Sequence, residues 1–168
     1  MPFLSCQVNN EEAVRNAGRF FKEAEVDAIK LESGRRVCPQ IKAILDGDML
    51  VMGHIGLTPQ SSGQVGGFKA QGRTAESAME LIEDARAVQK AGAFSILVEA
   101  VLPEVCKIIR DDLSIPVYSI GVGVDADGPI MIVRDILGIF QAFAAKFIKK
   151  YAKLGEETLK VLEPYAKK

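Results

Sequence analysis

Four side chains have the types and positions that acid–base chemistry needs. Lys30 and Glu32 stand two residues apart in "VDAIKLE", so on a strand they point to one side. His54, the single histidine, lies in "GHIGLTPQS" directly after the apolar run "MLVM". Glu99 ends the fully apolar "SILV", where desolvation should raise the pKa of a carboxylate toward that of a useful base. Each has a bland alternative. Lys30 and Glu32 could be a buried structural ion pair, and a lone imidazole is more often hydrogen-bonded structure than catalyst. All four at the ends of strands on one rim favour a site.

The elements that must position them follow from periodicity. Asn9, with Glu12 three residues later, predicts a helix running to about Ala24. "VDAIKLE" is a strand, 34–45 a helix, "MLVMGHIGL" a strand. A glycine-rich loop then leads to a helix over 74–91, with Met79, Ile82, Ala85, Val88 and Gln89 on one face. "FSILVEAV", a helix from Pro103 to Asp112, "IPVYSIGVG", the turn "DADGP" and a last strand "IMIVRD" complete the alternation. Short buried strands separated by helices point to a parallel α/β architecture. "AEVDAIKLE" and "AGAFSILVE" echo one another as successive units of a barrel would. This direction of reading places Gly121 and Gly123 at the end of one strand and Arg134 with Asp135 at the end of another. Parallel α/β folds build their sites at such carboxyl ends.

The remaining stretch, about 137–168, reads as two carboxyl-terminal helices hinged near Gly155. Its lysines are most simply a solvated face. A contact between subunits through Phe140, Phe143 and Phe147 is the sharper alternative.

Composition narrows the function classes. A chain that is 48% hydrophobic and 26% charged can bury one sizeable core, so a single domain over 1–168 is expected. Twenty-one Lys and Arg against 22 Asp and Glu leave no field to gather a polyanion, which argues against nucleic acid and anionic membranes. Cys6, Cys38 and Cys106 are odd in number and far apart. That fits neither a disulfide framework nor a zinc site, and suits a reducing cytoplasm. "MPFLSCQVNNEE" lacks the pattern of a signal peptide, and no apolar run is long enough to span a bilayer. A dinucleotide loop in "GVGVDADG" is a weak third reading, because a strand, not a helix, follows it. A calcium loop fails because no glutamate stands at the required spacing.

"GHIGLTPQS" followed by "GGFKAQGR", then "VE" with a downstream proline, "IPVYSIGVG" and "DG" before a final strand closely resemble the motif order of the ketopantoate hydroxymethyltransferase family. The resemblance runs from Met1 to about Phe147. It implies the (βα)8 barrel of the phosphoenolpyruvate mutase and isocitrate lyase superfamily, here about the last five βα units plus carboxyl-terminal helices. The implied reaction transfers a one-carbon unit from 5,10-methylenetetrahydrofolate to 3-methyl-2-oxobutanoate in pantothenate biosynthesis, through an enolate stabilised by magnesium. By motif match Glu99 would be the general base, Lys30 would bind the oxo acid, and His54 would sit beside it between Gly53 and Gly56. Glu32 would lie near the metal, through a water. The loop from Ser61 to Arg73 would be a mobile cover. Homo-oligomerisation is implied as well.

Some features depart from that pattern. The family barrel begins three units earlier, with an Asp-Ser pair and a second Asp that bind magnesium and substrate, and this chain starts where the third strand has ended. Arg134 stands where histidine is common, "GVG" replaces "GAG", and Pro103 falls one residue late after Glu99. Five strands cannot close a barrel, so "VDAIKLE" and "IMIVRD" would present bare edges. A shortened chain is the favoured explanation, ahead of a partner half or a self-associating half-barrel. The alternative function is a non-catalytic homologue that binds a 2-oxo acid or serves as an oligomer subunit.

Overall fold

The computed structural model describes residues 1–61, 63, 67, 69–141, 145 and 147–167. It forms two compact units, Met1–Pro129 and Ile130–Lys168.

In the first unit, helices alternate with strands: α1 (Asn10–Ala24), β1 (Ala28–Glu32), α2 (Cys38–Leu45), β2 (Leu50–Gly56), α3 (Ala75–Lys90), β3 (Ser95–Glu99), α4 (Pro103–Asp112), β4 (Val117–Ile120) and β5 (Gly128–Pro129). The Asn9 side chain accepts the Glu12 backbone N–H at 2.8 Å and opens α1, as a polar residue before a helix does. Thr74 and Ser77 cap α3 reciprocally, and Pro103, whose missing N–H costs nothing at a first helical position, opens α4. One turn of 3-10 helix, Gly34–Val37, precedes α2, so the segment expected as a single helix is built in two pieces.

The sheet is parallel throughout, in the order β1-β2-β3-β4-β5. Its register sets Leu31, Gly53, Ile96 and Val117 in one row and Glu32, His54, Leu97 and Tyr118 in the next. Alternation along the strands therefore makes two distinct faces. Ile29, Leu31, Val51, Ile55, Ile96, Val98 and Val117 join Ile41, Ile44, Ala85, Val88 and Ile109 of the helices in one buried core. Burying each such side chain contributes about 1.5–3 kcal/mol. Lys30, Glu32, His54 and Glu99 belong to the opposite face.

Gly53 works differently from the expectation. It sits in the helix-facing row, and a Cβ there would overlap Val88 Cγ1, so its lack of a side chain lets α3 pack on the sheet. Met79 is also corrected: it is half exposed, and α3 buries Leu81, Ile82, Ala85 and Val88 instead.

The strand expected at "IMIVRD" does not form. Pairing ends with Ser119 opposite Pro129, because Gly121, with φ of 68°, turns β4 away where Met131 would need a partner. Pro129 has no N–H to extend a ladder.

In the second unit, Arg134 and Asp135 lie in a short helix, α5 (Val133–Ile136), and not at a strand end. The two expected carboxyl-terminal helices reduce to one among the described residues, α6 (Leu154–Ala166). Gly155 is no hinge. It lies in the first turn of α6, where its N–H donates to the Gly138 carbonyl at 3.1 Å and a Cβ would overlap the Gly138 and Ile139 carbonyls. Helix α6 buries none of its residues, and Val161 and Tyr165 are 72% and 78% exposed. Lys153 and Lys160 pair with Glu156 and Glu157 on its surface. Phe140 and Phe147 are exposed, and Phe143 lies outside the described residues.

Candidate active site at the carboxyl ends of the strands

The carboxyl ends of β1, β2 and β3 bring the sequence candidates to one face. Glu32 pairs with His54 in register, and Glu99 pairs with Gly56 two residues further along β2. Gly56 has no side chain where a Cβ would overlap the Glu99 carbonyl and Val101, so the two strands close up there, and the Glu99 carboxylate Oε2 lies 3.2 Å from His54 Nε2. His54 is 1% exposed and Glu99 18%. The contact is at ion-pair distance but out of line for a hydrogen bond, and neither imidazole nitrogen makes one among the described residues. A buried imidazole left so costs about 1–3 kcal/mol.

Glu32 Oε2 accepts the backbone N–H of Gln60 at 3.2 Å, and Gln60 reaches the amino-terminal segment through Gln7 and the Met1 carbonyl. Lys30 is exposed on the same face, and its ammonium makes no ion pair among the described residues. A carboxylate beside a buried imidazole can take a proton from carbon, and the Lys30 ammonium, further back on the same face, adds positive charge that suits an anionic substrate.

Backbone geometry fixes where these side chains stop. The residues after Glu32 and Glu99, Ser33 and Ala100, have φ of 114° and 48°, a region L-residues enter at a cost of about 1–3 kcal/mol. Ala100 is pinned there, its N–H donating to the Ile120 carbonyl at 2.9 Å and its carbonyl accepting from Gln71 at 2.8 Å. Gln71 also bridges Val101, so the far end of the glycine-rich loop is tied beside Glu99. Ser62, Gln64 to Gly66 and Phe68 of that loop, the expected cover, lie outside the described residues. Sequence reasoning missed Gln60, Ser33 and Ala100. Only Gln60 had a signal, its place in "LTPQS".

The donor set does not by itself fit a magnesium ion. Glu32 and Glu99 are oxygen donors of the right hardness, but one Glu32 oxygen is taken by the Gln60 N–H and one Glu99 oxygen faces His54 Nε2 at 3.2 Å. Among the described residues no group of three or more His, Cys, Asp or Glu side chains could hold a metal. Cys6, Cys38 and Cys106 are free thiols. Burial pushes all three up, Cys106 to about 11, so none is a nucleophile near neutral pH. No helix among the described residues is long and apolar enough to cross a membrane.

Sequential parallel strands, helices between them and a polar rim at their carboxyl ends define an α/β protein of the (βα)8 TIM-barrel class. In keeping with that class, the fold is similar to phosphoenolpyruvate phosphomutase from Streptomyces platensis subsp. rosaceus, with a TM-score of 0.52 and 16% identity over 95% of this chain and 57% of that one. The family model for ketopantoate hydroxymethyltransferase matches residues 1–168, and the chain belongs to that family. Its relatives named 3-methyl-2-oxobutanoate hydroxymethyltransferase include those of Alkaliphilus metalliredigens, 62% identical over 98% of this chain, and Syntrophobacter fumaroxidans, 50% identical over 98%. Another, from Clostridioides difficile, is 49% identical over 93% of the chain. The chain spans 57–58% of the length of these curated relatives.

Proposed function

We propose that the protein acts in hydroxymethyl transfer from 5,10-methylenetetrahydrofolate to 3-methyl-2-oxobutanoate, giving 2-dehydropantoate for pantothenate biosynthesis. The observation that carries this reading is the convergence of Lys30, Glu32, His54 and Glu99 on one face, with Glu99 3.2 Å from a buried imidazole. Glu99 takes the C3 proton of the oxo acid. Lys30 attracts its carboxylate and the oxygen on which negative charge develops, and His54 supplies the polar edge that orients both substrate and base. Water opens the methylene bridge, its oxygen going to the methylene carbon and its two protons to the two folate nitrogens as both C–N bonds break. The C3 carbanion bonds to that carbon, and the proton taken by Glu99 passes to the resulting alkoxide oxygen to give the hydroxymethyl group. The magnesium implied by the family would find in Glu32 one hard ligand, direct or through water. Cytoplasmic location, supported by three free thiols, and self-association, supported by the exposed Phe140, Phe147 and α6, belong to the same proposal.

The second reading, a homologue that binds the oxo acid without turnover, is favoured by the incomplete metal donor set. Proton NMR of 3-methyl-2-oxobutanoate in D₂O separates the two. Exchange of the C3 proton that requires magnesium and is lost in Glu99→Ala is the expected result. A folded protein that binds the acid and gives no exchange would establish the second reading.

A further inference from the structure

We propose that Asp84, on helix α3, is a positioning residue for the site: it holds the turn after β1 in the strained form that keeps Glu32 in place at the rim. This rests on the function proposed above. The turn has two consecutive residues in the left-handed region, Ser33 with φ of 114° and Gly34 with φ of 57°. A serine does not stay there unaided, so groups outside the turn must hold it.

One tie lies on the sheet, where the Ser33 N–H donates to the His54 carbonyl at 3.3 Å. The others converge on one carboxylate. Asp84 Oδ1 accepts the backbone N–H of Arg35 at 3.1 Å and Arg35 Nε–H at 2.6 Å. A Cβ on Gly34 would overlap the same carboxylate, so Asp84 fills the space that a side chain at 34 would take and grips the residue that follows. Hydrogen bonds to an ionised group are the strong ones. The Asp84 side chain is 25% exposed, against 53% for Glu83, which meets the other end of the Arg35 guanidinium. Of the two acids, Asp84 is therefore the one that reaches the backbone and is sheltered from water.

Glu32 is where this hold is felt. It is the last residue of β1, in register with His54, and relaxation of the Ser33 φ rotates the peptide that joins the two residues. Its Oε2, which accepts the Gln60 N–H at 3.2 Å, then moves off that donor. Asp84 touches none of the reacting groups and acts through Ser33, Gly34 and Arg35. Misplacement of a site group by about 1 Å can cost about 10²-fold in rate.

The test pairs amide hydrogen exchange, read by NMR on the full chain, with C3 exchange of 3-methyl-2-oxobutanoate. In Asp84→Ala the Gln60 amide should lose protection about tenfold, while amides of the central strands β2 and β3 change less. C3 exchange should fall about tenfold to a hundredfold, in maximal rate more than in KM. Asp84→Asn keeps an acceptor oxygen for the Arg35 N–H and should restore most of both. Arg35→Ala removes only the half-exposed guanidinium and should lower both about threefold. That milder variant decides the matter should Asp84→Ala not fold. Glu83→Ala should change neither. Protection lost by one factor throughout the sheet, with C3 exchange per folded molecule at the wild-type rate, would show a merely structural residue and overturn the proposal, as would a Gln60 amide that does not respond. Where wild type itself gives no C3 exchange, selective loss at Gln60 supports the hold on Glu32 and overturns the proposed reaction instead.

Discussion

The two faces of the sheet are built from the same strands and do opposite work. On the helix side, Ile29, Leu31, Val51, Ile55, Ile96 and Val98 contribute by area, and what matters is that they fill space. On the other side, Lys30, Glu32, His54 and Glu99 contribute by position, and their worth depends on which atoms face which. Since the faces alternate residue by residue, a slip of one position would send the chemistry into the core and the core into the site. Register therefore protects both roles at once.

That division can be broken or sharpened by substitution. The largest effect is expected from Glu99→Gln, which keeps shape but removes the proposed base: C3 exchange should fall about 10²–10⁴-fold while the melting temperature stays near that of wild type. Next comes Ile96→Ala on the opposite face of the same strand, where loss of a fully buried side chain should lower stability by about 2–5 kcal/mol in urea unfolding. Its folded fraction should exchange at the wild-type rate. A slower rate per folded molecule would show the faces to be coupled.

Gly53→Ala should cost about 1–3 kcal/mol, since the new methyl meets Val88. Were it to act through the substrate instead, exchange would suffer and stability would not. Ser33→Gly relieves a φ of 114° and should raise stability by about 1 kcal/mol. A loss of exchange in that stabler variant would show that the tension holds Glu32 in place.

The smallest effect lies far from the rim, between α3 and α4. Arg86 holds the Asp112 carboxyl below its ordinary value. The stabilisation is present above that ordinary value and is lost as pH falls through the depressed one. Asp112→Asn should flatten the acid limb of a pH–stability curve slightly and leave exchange untouched.

Much of this was legible in the residues. The bounds of α4 follow from Pro103 and the apolar spacing behind it, and the shared face of Lys30 and Glu32 follows from a separation of two. What stayed hidden was set by partners distant in sequence. The 3.2 Å approach of Glu99 to His54 depends on the β2–β3 register, which pairs Glu99 with Gly56 two residues past His54. Gly53 looked like part of the site because it adjoins His54, but alternation puts it against α3. The strand expected at "IMIVRD" was overridden because its neighbour ends first, at Gly121.

The left-handed residues Ser33, Gly56, Ala100 and Gly121 come after the last residues of β1 and β3, at the end of β2 and just past β4. Each acts as a full stop, separating the part of the chain that carries chemistry from the connection that follows. Connections grafted in after these four positions should therefore be exchangeable among homologues without disturbing the side chains before them. Libraries randomised at Ser33, Ala100 and Gly121 should return glycine, asparagine and aspartate, and reject valine and isoleucine, whereas Gly56, where a Cβ would overlap the Glu99 carbonyl, should return glycine alone.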